Sequence, residues 1–237
     1  MATALPLVPA DRPPRPRDAT PAASAFALSP SELRARGFRN PEHAFGQIQR
    51  PWLWQGGAPA LGRDARALAT FSVSPPALLS QNSAADGSTK LLVELGNGDR
   101  VEAVHMPRAG RVTLCISSQV GCAMGCTFCA TASMGFGRHL LAHEIVGQVL
   151  SSMHALGPRH PGDLTLVFMG MGEPLHNLPE VARAISALCD KAGLGLSPRR
   201  ITVSTSGLVP EIAELGQIEH RPLLAISVNA TTDEQRS

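Results

Sequence analysis

From residue 111 onward the chain alternates between two hydrophobic periods. Residues 112–116, 164–169, 201–203 and 223–228 are short runs that are apolar almost throughout, the pattern of strands buried on both faces. Between them, residues 142–156 place Ile145, Val146, Val149, Leu150 and Met153 on one helical stripe. Residues 179–192 place Val181, Ile185 and Leu188 on another behind a leading proline, and 210–215 forms a short helix. Repeated strand–helix units with such strands predict an α/β fold, a parallel sheet covered by helices that is either a barrel or a doubly wound sheet. Four strands of it are visible. Just upstream, residues 91–95 and 101–106 flank the cluster Gly96-Asn97-Gly98-Asp99, which predicts a β-hairpin because these turn residues supply the positive φ that a tight turn requires. Glu102 shares a strand face with Val104 and Met106. A carboxylate there is either an ordinary edge-strand residue or, if partly desolvated, one suited to proton transfer.

The N-terminal part has no single period. Residues 1–25 are rich in Pro and Ala with interspersed Arg and Asp, too poor in apolar area to offset ordering entropy, and are expected to form a disordered tail. Residues 26–88 predict a small, mostly helical accessory domain, with short helices near 31–36 and 64–68 broken by Pro41, Pro51, Gly56-Gly57-Ala58-Pro59 and Pro75-Pro76. Its Arg34, Arg36, Arg39 and Arg50, with Trp52 and Trp54, fit two readings: phosphate pairing and base stacking on RNA, or a solvated face over a two-Trp core. The hairpin extension occupies 89–110 and the β/α core 111–237.

Composition narrows the class. Of 237 residues 43% are hydrophobic and 17% charged, so a real core can be buried. No run approaches the roughly 18 apolar residues of a membrane span, and the N-terminus lacks the basic-then-apolar order of a secretory signal, so a cytoplasmic chain without a membrane partner is expected. A net charge of +2 neither demands nor excludes nucleic acid. The 237 residues end on Asp233 to Ser237, which reads as the start of a helix.

The chemistry is concentrated in cysteines. There are five, an odd number, and Cys122, Cys126 and Cys129 lie within eight positions directly after the first strand of the β/α series. Three thiolates on one short loop can hold a 4Fe–4S cubane and leave one iron open to a small molecule, whereas electron-transfer ferredoxins close every position. Structural zinc is the competing reading, with Cys115, His139 or His143 as the fourth ligand. Gly170-Met171-Gly172-Glu173-Pro174 follows the second strand, Ser204-Thr205-Ser206-Gly207 the third, and Ser227-Val228-Asn229 ends the fourth. Each alone reads equally well as a turn or a helix cap. All four fall where β/α barrels carry their active face.

Cys-x3-Cys-x2-Cys with a downstream Gly-Glu-Pro resembles the radical S-adenosylmethionine superfamily. The wider string from Arg111 through Cys129, together with Gly135-Phe136-Gly137-Arg138, Glu144 to Val149, Met169 to Leu175, Ser204 to Pro210 and Leu224 to Asp233, resembles the RlmN/Cfr family of RNA adenine methyltransferases, in its adenine-C2 branch. That resemblance covers the chain from about Leu91 to its end and, more loosely, Phe45 to Trp54. It implies a partial (β/α)6-type barrel with about four units present, and methylation of adenosine C2 in 23S rRNA and tRNA. Cys122, Cys126 and Cys129 would hold the cluster, and S-adenosylmethionine would chelate the open iron, with Gly172 and Glu173 receiving its amino group. Ser204, Ser227, Val228 and Asn229 would contact the rest of the cofactor. Reductive cleavage then yields a 5′-deoxyadenosyl radical, and the methyl group travels on a C-terminal cysteine.

By the same resemblance Cys115 helps resolve the protein–RNA adduct, Glu102 is a proton acceptor, a disulfide bond belongs to the family's features, the electron donor is of flavodoxin type, and the protein is a monomer. From the residues alone Cys115 reads as a buried strand cysteine, and so does Cys189 on its helical stripe. Two departures stand out. Many relatives have Ser-Leu-His where this chain has Ser227-Val228-Asn229, and no cysteine follows Cys189. The methyl-carrying cysteine is therefore missing, and the expectation is a truncated form that cannot complete methylation. Adenine-C8 methylation, another radical reaction without RNA, and a zinc-binding module are the alternatives.

Overall fold

A computed structural model of the chain describes residues 24–50, 62–68, 71–156, 161–230 and 232. Most of the expected disordered tail, together with Pro51, Trp52, Trp54, the 56–59 segment and residues 233–237, lies outside them.

One seven-stranded sheet organises the molecule. Its strands are β1 (Ala77–Ser83), β2 (Thr89–Glu94), β3 (Arg100–Arg108), β4 (Arg111–Cys115), β7 (Leu164–Phe168), β8 (Ile201–Thr205) and β9 (Leu223–Ile226), in that spatial order. β5 (Gln119–Gly121) and β6 (Phe136–His139) form a separate antiparallel ribbon. β1 to β4 pair antiparallel, and β4, β7, β8 and β9 pair parallel. The parallel half follows chain order without reversal, the arrangement of a barrel and not of a doubly wound sheet, in which the order switches. The short α4 (Ala130–Ser133) follows the cysteines, and helices α5 (Ala142–Ala155), α6 (Leu178–Cys189) and α7 (Val209–Leu215) are the crossovers. The predicted elements of this half are all present to within a few residues. The helix expected over 179–192 stops at Cys189, where the Asp190 carboxylate accepts from Ala192 N–H and its carbonyl accepts from Gly193 and Gly195, closing a turn.

The hairpin is present too, yet it is no appendage. β3 pairs with β4 through Val104 to Arg108, so antiparallel and parallel halves are continuous. Two features of the N-terminal part differ from expectation. Pro41 starts a helix instead of breaking one: α2 (Pro41–Gln49) carries it in the first turn behind an Asn40 cap, where its missing N–H costs nothing. β1 lies in the stretch read as helical. Its side chains are mostly exposed, so it has no apolar alternation to read, and its pairing to β2 rests on the backbone.

Helices α1 (Pro30–Ala35), α2 and α3 (Ala65–Leu68) lead into the same core as the β/α units. Phe26, Leu33, Phe45 and Ile48 are fully buried with Ile145, Val149, Ile185 and Leu188, each such side chain stabilising by about 1.5–3 kcal/mol. The fit between α2 and the end of α6 is close: a Cβ on Gly46 would meet Ala192 O at 2.6 Å, and one on Gly193 would meet Gln49 Oε1 at 2.4 Å. Gln49 donates to the carbonyls of Phe26 and Ala187 and accepts from Leu194 N–H, while Arg50 donates to the carbonyls of Gly193 and Lys191. No helix among the described residues is long and apolar enough to cross a membrane.

Candidate cofactor site at the carboxyl ends of the parallel strands

The 116–119 segment leaves the end of β4 and works as a spine for the site. Gly170 N–H donates to Ile116 O, Ser118 and Gln119 N–H both donate to Met171 O, and Met171 N–H donates to the Ser117 hydroxyl at 2.9 Å. That hydroxyl donates in turn to Glu102 O at 2.6 Å, tying β3 to the loop after β7. From behind, the fully buried Gln148 of α5 accepts from Ser117 N–H and donates to Ser117 O. Buried polar groups are costly unless paired, so this network specifies one position for the 170–173 loop.

Glu173 is the best-held side chain there. It is 4% exposed. Its Oε1 accepts from Leu175 N–H at 3.1 Å, and its Oε2 accepts from Ser206 N–H at 2.9 Å and from the Ser206 hydroxyl at 3.1 Å. A carboxylate has about four acceptor positions, so three protein donors leave Glu173 one for a ligand. Gly172 has φ +102°, in the left-handed region that favours glycine, and a Cβ there would lie 2.6 Å from the Gln119 side chain. Ser204 and Ser227, at the ends of β8 and β9, share a hydrogen bond of 3.2 Å between their hydroxyls. Val228 is exposed, and Asn229 has φ +58° with its amide donating to Ser227 O.

The cysteine loop hangs from the ribbon. Gly121, at φ +74°, ends β5 with its Cα against Gly135 O, a place no Cβ fits, and Cys122 N–H donates to that same oxygen. Cys122, Cys126 and Cys129 are half-buried, and all five cysteines are free thiols. Desolvation pushes the Cys122 thiol up; a backbone hydrogen bond at Met124 opposes this, and Cys129, Cys126 and Glu173 add to it electrostatically. Cys122 thus lies within electrostatic range of Cys126, Cys129 and Glu173.

The three cysteine side chains are not gathered around one point, with or without a proposed fourth zinc ligand. Among the described residues no group of three or more His, Cys, Asp and Glu side chains is placed to hold a metal ion. His139 Nδ1 faces the Gln119 amide at 3.1 Å. His143 is held below its usual range by desolvation. Cys115, 8% exposed, is pushed up to about 11 by desolvation against a backbone hydrogen bond at Met169. It stands at the end of β4, and Cys189 is buried on α6 with its thiol at about 12 for the same reason.

The chain matches the model of the radical SAM superfamily over residues 116–236. It belongs to the radical SAM superfamily. That membership implies a 4Fe–4S cluster and S-adenosylmethionine; the donor types for both are present, as three free thiols on one short loop and a carboxylate with one acceptor position left, although the thiols are not gathered around one point in this structure. The chain is also 46% identical over 187 residues to the dual-specificity RNA methyltransferase RlmN of Paracoccus denitrificans, covering 74% of this chain and 48% of that protein. To the RlmN of Nitratidesulfovibrio vulgaris strain DP4 it is 45% identical over 201 residues, covering 78% and 55%. The crystal structure of a radical SAM methyltransferase from Sphaerobacter thermophilus superposes with TM-score 0.79 at 34% identity, covering 91% of this chain and 66% of that one. The chain spans about half the length of the curated relatives it matches.

Glu102 has a cross-strand partner. Its carboxylate is not enclosed by an apolar face: it forms an ion pair with Lys90 Nζ at 3.0 Å and stays one-third exposed, because Val101, Ala103 and His105 take the buried face of β3. The basic residues of the N-terminal part are mostly engaged within the protein. Arg34 pairs with Glu42, Arg36 lies over the Phe71 ring and donates to Glu32 O, and Arg50 caps the turn after α6. The sequence reading missed Gln119, Ser117 and Ser206, which position Glu173 and its loop. Only their place beside the recognised motifs marks them.

Proposed function

We propose that this chain is the cluster- and cofactor-binding part of a radical S-adenosylmethionine enzyme that methylates C2 of adenosine in 23S rRNA and tRNA. The observation that carries the reading is Glu173, buried at the carboxyl ends of the parallel strands and held by three donors with one acceptor position left, in a chain whose loop after the first of these strands carries three free cysteines, and the similarity to RlmN proteins supports the RNA substrate. Cys122, Cys126 and Cys129 are the cluster ligands, one per iron, with the fourth iron left for the cofactor. Glu173 uses its remaining acceptor position for the amino group, beside Gly172. Ser204, Ser227 and Asn229 offer hydroxyl and amide groups to the rest of the cofactor, with Val228 as an apolar contact. When bound, cluster and cofactor together supply radical chemistry, which an adenine C2–H requires because it is too poor a nucleophile for ordinary methyl transfer.

In this scheme Cys115 acts late, on the protein–RNA adduct, and its protonated thiol suits it to give or hold a proton before it acts as a thiolate. Glu102, paired with Lys90, accepts a proton. The setting is the cytoplasm, the donor a flavodoxin-type protein, and the working unit a monomer. The test is methyl incorporation from labelled S-adenosylmethionine into 23S rRNA or tRNA by a protein carrying this chain at its relatives' length. 2-Methyladenosine after nuclease digestion is expected. 8-Methyladenosine would replace the regiochemistry, and cofactor cleavage indifferent to RNA would replace the substrate.

A further inference from the structure

Two structural units meet at the site, and the Gln119 side chain bonds to both. Gln119 lies in β5, the strand that leads into the cysteine loop, and is fully buried. Its Oε1 accepts from Glu173 N–H at 2.9 Å. Its Nε2 lies 3.1 Å from Nδ1 of His139, its register partner in β6. The amide orientation follows from chemistry: a backbone N–H can only donate, so the oxygen faces Glu173, and the NH2 group is left to donate to an unprotonated Nδ1. The direction of the His139 shift agrees with this, since desolvation and then the nearby His176 hold its imidazole below the usual range. Gln119 also occupies the space above Gly172, where its Cβ, Cγ and Oε1 would all come within 2.8 Å of an added methyl group.

We infer that Gln119 is a positioning residue for S-adenosylmethionine, setting the distance between the cysteine loop and the Glu173 loop by bonding to both. The cofactor has to reach the cluster iron and Glu173 together, so a drift between the two units weakens its binding while leaving each unit intact. The inference rests on the reading that Glu173 receives the cofactor's amino group.

The experiment is equilibrium binding of S-adenosylmethionine to the reconstituted chain, with iron content, visible spectrum and thermal melt recorded for every variant. Gln119→Leu removes both bonds at similar volume and is expected to weaken binding at least tenfold with iron content unchanged. His139→Leu, at an exposed position, frees one arm of Gln119 and is expected to weaken binding about two- to fivefold. In the double variant the His139 change should add nothing further. Glu173→Gln tests the underlying reading separately: if it binds the cofactor as well as the parent chain does, that reading fails. If it binds weakly while Gln119→Leu and His139→Leu both bind normally, the assignment of Gln119 fails. Loss of iron from His139→Leu would also overturn it, since the residue would then serve the cluster loop alone. If Gln119→Leu does not fold, His139→Leu decides: unchanged binding there rejects the inference.

Discussion

The two loops that build the site are held in opposite ways. The loop after β7 is fastened by the protein itself: Gly170 N–H, both polar groups of Met171, and Glu173 N–H all bond to the 116–119 segment, and the Glu173 carboxylate takes three further donors. The cysteine loop is anchored at its root, through Gly121 and the Cys122 N–H, and beyond that it carries half-buried thiols and exposed Phe128 and Met134. The contrast follows from the ligands. A carboxylate with a single acceptor position left for an amine must be aimed beforehand, because a weak, directional bond cannot pay for ordering it. Thiolates gain enough on binding metal to fix their own geometry, so the chain has only to bring them within reach.

Changes on each side therefore separate stability from chemistry. The largest effect on chemistry is expected from Cys122→Ala, Cys126→Ala or Cys129→Ala: loss of cluster assembly and of 5′-deoxyadenosine formation, with the unfolding free energy of the metal-free chain in urea changed by about 0.5 kcal/mol or less. The largest effect on stability is expected where the ribbon is clasped to the body. Arg138 donates to both oxygens of Glu144, which is 3% exposed, at 2.8 Å, and to Asp99 at 2.6 Å. Desolvation pulls its guanidinium down, but Glu144 and Asp99 more than restore it and hold it raised. Arg138→Met leaves Glu144 buried without its cation and should cost about 3 kcal/mol in chemical denaturation. Gly172→Ala, strained at positive φ and pressed on Gln119, should cost about 1–3 kcal/mol and abolish cofactor binding.

A smaller effect depends on pH. Burial raises the thiols of Cys115 to about 11 and of Cys189 to about 12 from their ordinary 9.0. The folded chain therefore holds these protons more tightly than the unfolded one. The stability they contribute is full below pH 9 and is lost as pH rises from 9 towards 12. Denaturation of the metal-free chain should show that decline, and a Cys115→Ala, Cys189→Ala variant should be flatter over the same range. Smallest of all, Arg34→Ala breaks only an exposed pair with Glu42 and should change stability by about 0.5 kcal/mol or less.

How far the sequence carried this picture depended on how each residue earns its place. Strands β4, β7 and β8 and the stripes of α5 and α6 were legible because burial on one or both faces demands an apolar pattern. The cysteines were legible because metal chemistry fixes spacing. Pro41 was misread because the same residue stops a helix in its interior and starts one at its first turn, and the difference lies with Asn40 and the core behind Phe45 and Ile48. β1 left no trace, since an exposed edge strand pairs through backbone alone. The partner of Glu102 left no sign because Lys90 comes from the neighbouring strand. Gln119 and Ser206 were invisible for a similar reason: each acts through a backbone N–H or carboxylate brought near by folding.

The account is tested most directly by anaerobic reconstitution of this chain with iron and sulfide, followed by reduction in the presence of S-adenosylmethionine. A brown protein with about four irons per chain, a reduced-state EPR signal that changes when the cofactor is added, and release of 5′-deoxyadenosine are expected. A colourless protein holding one zinc per chain, or a cluster whose EPR signal ignores the cofactor, would contradict it.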